Sequence, residues 1–257
     1  MGSPSRPHRK TGGYVLNKLY VIGIGPGGEK YMTFEAMQAL KDSDLIVGYG
    51  VYTDLVKPLF PEKEYLTTPM KQEVERCRMA VDAACEGKTV AMISSGDAGV
   101  YGMAGPILEL AEGKDVQVEV VAGVTAALSG GAVLGAPLTH DFAVISLSDL
   151  LTPWDKIEKR LDAAGSADFC IALYNPSSIK RADYLQKACD ILLRHKSPET
   201  VCGTVRNIGR EGEAYQLMTL QELRDTKVDM FTTVFIGNSQ TKAVDGRMVT
   251  PRGYKHE

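Results

Sequence analysis

No two cysteines in this sequence stand at metal-ligand or redox spacing. Cys77, Cys85, Cys170, Cys189 and Cys202 include no C-x-x-C pair, and no histidine follows any of them at ligand spacing. A zinc site or dithiol motif is therefore excluded as the organising feature. Cys77 and Cys85 share a helical stripe with Val74 and Val81, Cys170 and Cys202 fall in apolar strands, and Cys189 falls in a helix. All five are expected as reduced, buried packing residues. An excess of either charge sign is also lacking: a net charge of −3 over 257 residues leaves no basic footprint for nucleic acid. Long apolar runs are missing, none nearing the roughly 18 residues that a bilayer span needs. No charged-then-apolar leader opens the chain, and a cytoplasmic protein is expected. Internal repeats and low-complexity tracts are absent as well.

What remains is ordinary globular composition, 44% hydrophobic and 24% charged, with enough chain for two domains. The most informative stretch runs from Val90 to Gly105. Val90–Ile93 is a short apolar run suited to a buried parallel strand. Gly96, Gly99, Gly102 and Gly105 follow with one carboxylate, Asp97, and Pro106–Glu112 then reads as a helix. Strand, glycine-rich turn and helix is where open α/β sheets hold ligands. Asp97 reads either as an anion facing that ligand or as a solvated turn residue. In the first case its removal weakens ligand binding and spares ligand-free stability.

Residues 1–17 lack periodicity and read as a disordered extension, either native or partly a cloning remnant. Leu19–Ile22 is a strand entering Gly23-Ile24-Gly25-Pro26-Gly27-Gly28, and Thr33 is placed to cap a helix with Phe34, Met37 and Leu40 on one face. The glycines satisfy G-x-G-x-x-G, so a nicotinamide-dependent oxidoreductase has to be weighed. That fingerprint wants an acid at the end of the second strand. Here Leu45-Ile46-Val47 ends in Gly48-Tyr49-Gly50, and Asp42 and Asp44 precede it. Pro26 also removes a donor from the turn. The oxidoreductase reading fails on its second half.

A helix over Lys71–Glu86 stopped by Gly87, a strand at Val116–Val121 and a small-residue turn at Ala122–Ala126 complete a first domain, 18–125. Alternating strands and helices imply a mainly parallel sheet. A second domain, 126–257, opens on a small-residue helix at Ala126–Leu138. Its strands are Phe142–Leu147, Phe169–Tyr174, Val201–Val205, Tyr215–Leu220 and Phe231–Ile236, and its helices begin at Thr152-Pro153 and span Arg181–Arg194. The chain between the last two strands is too short for a full crossover, so this sheet is expected to be mixed.

With the turns laid out, the chain resembles the tetrapyrrole methyltransferase family, which uses S-adenosylmethionine in cobalamin and sirohaem synthesis. Gly23-Ile24-Gly25-Pro26-Gly27 matches its G-x-G-P-G signature, Ser95-Gly96-Asp97-Ala98 its G-G-D-P turn, Ala122–Ala126 its P-G-[IV]-[TS]-[AS] turn, and Pro137-Leu138-Thr139-His140 its P-L-T-H segment. Ser95, Ala98 and Ala122 depart from the pattern. The likeness runs from Leu19 to Tyr254. S-S-G-D-A-G-V-Y-G-M-A-G, H-D-F-x-x-I-S-L-S-D-L-L-T-P-W and Y-N-P-S-S resemble the C17-methylating, ring-contracting branch, on the cobalt-dependent side of it.

The resemblance implies two αβα domains, the class III tetrapyrrole methylase fold, with a cleft between them and a homodimer. It also implies a cobalt-factor III or precorrin-3B type tetrapyrrole as substrate. Carried over by position, the cosubstrate contacts are Pro26, Ser95, Gly96, Asp97, Val100, Thr125, Ala126, Asn175 and Ile208. Arg206 and Tyr101 are candidates for the macrocycle, whereas Arg210 reads as solvated loop charge. His140 and Asp149 are the candidates for proton movement in ring contraction; the alternative for His140 is a helix cap or backbone hydrogen bond. Any cobalt belongs to the substrate, with no protein-bound metal. A non-catalytic tetrapyrrole carrier is the other alternative, since it would need no cosubstrate site.

Overall fold

The computed structural model describes residues 17–178 and 181–254. They divide into two compact units. Of the described residues, the first holds those up to Ile24 and Thr33–Gly123; the second takes Gly25–Met32 and those from Val124 onward. The extension expected over 1–17 lies outside the described residues, apart from Asn17. Its carbonyl accepts from the Gln117 N–H at 2.7 Å, and its amide donates to the Asp115 carbonyl at 2.9 Å.

The first unit runs β1 (Lys18–Gly23), α1 (Phe34–Asp42), β2 (Leu45–Tyr49), α2 (Gly50–Val56), β3 (Glu64–Thr68), α3 (Glu73–Cys85), β4 (Val90–Ser94), α4 (Ala104–Leu110) and β5 (Gln117–Val121). The strands form one parallel sheet in the order β3-β2-β4-β1-β5. Its central strands are apolar at successive positions because both faces are covered. Leu19, Val21, Leu45, Val47, Val90 and Met92 pack beneath Cys77, Ala80, Val81 and Ala84 of α3 and Ala104 and Ile107 of α4. Tyr20, Ile22, Ile46 and Ile93 alternate with them and are buried too.

Two expected faces turn out differently. Thr33 caps α1 as expected, its hydroxyl accepting from the Ala36 N–H at 3.0 Å. The buried stripe, however, is Ala36, Ala39 and Leu40, and Phe34 is 97% exposed. Phe34 sits two residues before Ala36, roughly 200° around the helix. In α3, Cys77 and Val81 are buried while Val74 and Cys85 are exposed, so Cys85 is no core thiol. Gly87 ends that turn with φ +99°, the left-handed conformation glycine favours.

The second unit runs α5 (Ala126–Leu134), β6 (Gly135–Ala136), β7 (Phe142–Ser146), α6 (Trp154–Ser166), β8 (Cys170–Tyr174), α7 (Tyr184–Leu192), β9 (Val201–Arg206), β10 (Ala214–Thr219), α8 (Leu220–Asp225), β11 (Thr232–Ile236), β12 (Lys242–Val244) and β13 (Arg247–Val249). Its main sheet has the order β10-β9-β11-β8-β7; β7 and β8 are parallel and the other pairs antiparallel. The mixed sheet is as expected, but β10 and β11 are not neighbours: β9 lies between them. Helices α6, α7 and α8 cover one face through Ile157, Leu161, Leu185, Ala188, Leu192, Leu220 and Leu223. Helix α5 covers the other, where Ala127 and Leu134 meet Ala172, Val205 and Phe235. Pro153, with φ −55° and ψ 144°, takes the N-cap position of α6 in place of Thr152.

The amino edge of this sheet is fastened by a charged cluster. Asp168 accepts from the Ser239 N–H at 2.9 Å and the Ser239 hydroxyl at 2.6 Å, and lies 3.3 Å from the Lys196 ammonium. Burial alone would raise the Asp168 carboxyl, but Ser239 and Lys196 outweigh it and hold it below its ordinary 3.8. A carboxyl depressed in the folded state stabilises above its unfolded pKa and loses that contribution as pH falls through the folded value. Melting temperature followed downward from pH 6 is therefore expected to fall more steeply below about pH 4 in the native chain than in Asp168→Asn. Parallel curves for the two would show that this cluster contributes nothing to acid sensitivity.

Candidate active site

In the first unit β1 and β4 are neighbours whose onward connections leave in opposite directions, β1 toward β2 and β4 toward β5. That switch point, outside the carboxyl ends of the strands, is where open α/β sheets hold ligands. Three turns meet there. The Ile24 N–H donates to the Ser94 carbonyl at 2.9 Å, joining the ends of β1 and β4. A Cβ on Gly23 would lie 2.6 Å from the Gly96 carbonyl oxygen and 2.8 Å from the Gly123 nitrogen. One on Gly123 would lie 2.2 Å from the Gly96 oxygen. The edge is built of backbone because only backbone fits.

Asp97 is the carboxylate of this edge, and the structure gives it a fold role. One oxygen accepts from the Gly99 N–H at 2.8 Å and the other from the Gly123 N–H at 2.9 Å. It is neither a solvated turn residue nor an unoccupied anion, and sparing of ligand-free stability on its removal is no longer expected. Ser95, Gly96, Val100 and Tyr101 lie on the same turn. Tyr101 is exposed at φ +54°, and α4 begins two residues earlier than the sequence indicates.

In the second unit the carboxyl ends of β7, β8 and β9 share one edge of the main sheet. Asn175 follows β8 at φ +52°, and its amide donates to the Ser146 hydroxyl at 3.0 Å. Ile208 is buried beyond β9. Thr125 and Ala126 begin α5, and the Tyr174 hydroxyl lies 2.6 Å from the Thr125 hydroxyl. Arg206 is paired with Asp229 at 2.7 Å. Burial opposes ionisation of Asp229, but the Arg206, Thr232 and Phe231 bonds hold its carboxyl below the ordinary value.

The segment Gly25–Met32 belongs to this unit through the turn after β9. A Cβ on Gly27 would stand 1.9 Å from the Gly209 carbonyl oxygen, and one on Gly209 would meet the Tyr31 ring at 2.8 Å. Arg210, expected as solvated charge, donates from Nε to the Pro26 carbonyl at 2.8 Å. It fastens the G-x-G-P-G loop. Gly28 has nothing within 4 Å of its missing Cβ, so the third glycine of a dinucleotide fingerprint is not needed here. Asp44 lies at the amino end of β2, where it accepts from the Thr89 N–H. Both observations agree with the failure of the nicotinamide reading.

The two candidates for proton movement part company. Asp149 lies beyond the carboxyl end of β7, on the edge that carries Asn175 and Arg206. It accepts from the Tyr184 hydroxyl at 2.6 Å and lies 3.5 Å from Arg181, which also donates to the Ser148 hydroxyl. The bond to Asp149, with burial behind it, pushes the Tyr184 phenol up. His140 precedes β7, about 17 Å of strand away. Its Nδ1 accepts from the Asp141 N–H at 2.9 Å, the backbone alternative, and its side chain is half exposed. The structure does not bring His140 to the edge that carries Asp149, Asn175 and Arg206. Tyr174, Arg181 and Tyr184 were missed by sequence reasoning because their partners lie 33 to 49 residues away. His8 and His256 lie outside the described residues.

Among the described residues no three His, Cys, Asp or Glu side chains converge as metal ligands, and no helix is long and apolar enough to cross a membrane. The glycine-lined turns and small neutral side chains fit the flat adenosyl part of a compact ligand, and S-adenosylmethionine has that chemistry.

The fold defines a two-unit α/β protein whose motif turns lie at the carboxyl ends of strands. A model of the family described as Tetrapyrrole (Corrin/Porphyrin) Methylases matches residues 18–224, and the chain belongs to that family. It is 50% identical over 238 residues to a probable cobalt-factor III C(17)-methyltransferase of Salmonella typhimurium, covering 92% of this chain and 99% of that one. A precorrin-3B C(17)-methyltransferase of Sinorhizobium sp is 40% identical, covering 93% and 98%. The crystal structure of the methyltransferase CobJ superposes with a TM-score of 0.84 at 34% identity, covering 91% and 99%. In two longer relatives, from Archaeoglobus fulgidus and Priestia megaterium, the chain matches only 53% and 46% of the protein.

Proposed function

We propose that this protein is an S-adenosylmethionine-dependent C17-methyltransferase of cobalamin biosynthesis, acting on cobalt-factor III or precorrin-3B and contracting the macrocycle. The observation that carries the reading is identity of 50% over nearly the full length of a relative named as a probable cobalt-factor III C(17)-methyltransferase. The methylase family and the placement of its motifs at strand ends support it.

S-adenosylmethionine would supply the methyl group, and transfer from a sulfonium is an in-line displacement needing orientation more than acid or base. Holding donor and acceptor in a near-attack pose can contribute about 7–11 kcal/mol. We assign cosubstrate binding to Pro26, the Ser95-Gly96-Asp97 turn, Val100, Thr125, Ala126, Asn175 and Ile208. Pro26 is held in place by Arg210, and the Ser95–Asp97 turn by the two amide bonds of Asp97. Arg206 and Tyr101 are proposed for the carboxylate-rich macrocycle, with Arg206 exchanging Asp229 for a substrate carboxylate. Domains at 18–125 and 126–257, a homodimer and a cytoplasmic location belong to the same reading. Cobalt, where present, is substrate.

The test is anaerobic incubation of the purified protein with S-adenosylmethionine and cobalt-factor III or precorrin-3B, followed by mass spectrometry. A product heavier by one methyl group, formed with S-adenosylhomocysteine, is expected. Calorimetric binding of NADH with no heat from S-adenosylhomocysteine would sink the reading. Proton movement in ring contraction is assigned to Asp149. Asp149→Asn is expected to slow contraction by roughly 10²–10⁴, while His140→Ala runs at the wild-type rate. The reverse pattern would return the role to His140.

A further inference from the structure

Helix α5 begins without a side-chain cap of its own. Thr125 has the backbone of an N-cap, φ −66° and ψ 155°, yet its side chain bonds no helix N–H. An N-cap side chain accepts from the N–H of the second or third helical residue. Here the second one, Ala127, donates instead to the Tyr174 hydroxyl at 2.6 Å. Tyr174 closes β8, 47 residues further along the chain. The same hydroxyl lies 2.6 Å from that of Thr125, whose carbonyl accepts from the Ser129 hydroxyl at 3.0 Å. The turn Thr125-Ala126 is therefore set by β8, and β8 hands directly to Asn175, which is tied to the end of β7.

We infer that Tyr174 is a positioning residue for the cosubstrate, its hydroxyl holding Thr125 and Ala126 in register with Asn175 before the ligand arrives. The inference rests on the cosubstrate reading of those three residues. One phenol oxygen does the work of a cap for α5 and at the same time joins two elements of the proposed site. The ring is half-buried against the cluster of Ala127, Ala172 and Val205. Tyr174→Phe keeps that packing and removes only the oxygen.

The test is calorimetry with S-adenosylhomocysteine, paired with kinetics, on wild type, Tyr174→Phe, Thr125→Val and the double variant. Tyr174→Phe is expected to raise the dissociation constant about tenfold, since it removes both half-buried hydrogen bonds that set the turn. KM for S-adenosylmethionine rises with it while kcat holds, because the turn binds the cosubstrate equally in ground and transition states. The double variant is expected to bind no worse than the weaker single one, since both lose one shared contact. A residue serving stability alone would lower the ligand-free melting temperature and leave affinity and the KM-to-kcat split unmoved. Wild-type affinity in Tyr174→Phe, or fully additive losses in the double variant, overturns the inference while the cosubstrate reading stands. Failure of the wild type itself to bind S-adenosylhomocysteine overturns both.

Discussion

Gly123→Ala is expected to be among the most damaging single-methyl changes in the first unit. The added Cβ would lie 2.2 Å from the Gly96 carbonyl oxygen and 2.5 Å from that of Gly23. Both obstacles are backbone, so no rotamer change relieves them, and the ends of β1, β4 and β5 have to separate. Overpacking of a well-filled site costs typically 1–3 kcal/mol, and a wall of backbone puts this change at about 3 kcal/mol or more. In a chain of this size that is a fall of roughly 6–12 °C in melting temperature. Gly28→Ala is the matched control, since its Cβ meets nothing within 4 Å and its φ is −78°. Calorimetry or circular dichroism melts of the two variants decide the matter. A Gly123→Ala protein that melts with the wild type would show that the three turns do not meet as described.

Asp97→Ala comes next, and its effect is expected on the fold before the ligand. Two backbone amides, those of exposed Gly99 and half-buried Gly123, lose a charged acceptor together. Hydrogen bonds to charged groups contribute roughly 1.5–3 kcal/mol each, and partial solvation of the vacated site brings the pair to about 2–4 kcal/mol. Ligand-free melting temperature should fall accordingly, and affinity for S-adenosylhomocysteine should fall with it because the Ser95–Asp97 turn loosens. Asp97→Asn should lie between, since its amide can accept one N–H but faces the other donor to donor. If Asp97→Ala lost affinity with no change in ligand-free stability, the carboxylate would belong to the ligand and not to the turn.

These two residues mark how much of the site could be read in advance. The glycines and Asp97 are visible as a turn because small residues after an apolar run have a local meaning. What Asp97 bonds is not visible, because Gly123 stands 26 residues away at the end of another strand. Arg210 shows the same limit at larger scale: its partner Pro26 lies 184 positions back, and solvated charge is all that local context suggests. The stripe on α1 was misplaced at Phe34 because a large apolar side chain outweighs Ala36 and Ala39 in any hydrophobic pattern. Small residues nevertheless make the better contact where a helix lies close to a sheet.

The sequence by itself determined most of the alternation of strands and helices, though not α2, β3, β6, α8, β12 or β13, together with the parallel first sheet and the capped start of α1. Each of these follows from periodicity, from the backbone freedom of glycine or from a side chain reaching its own helix end, interactions that span a few residues. The tertiary structure alone decided which turns meet, that Gly25–Met32 packs with the later half of the chain, and that His140 and Asp149 lie at opposite ends of β7. Those outcomes depend on strand order and on which edge of a sheet a residue reaches. Strand order is set by how whole layers bury their apolar faces, and no local spacing records it.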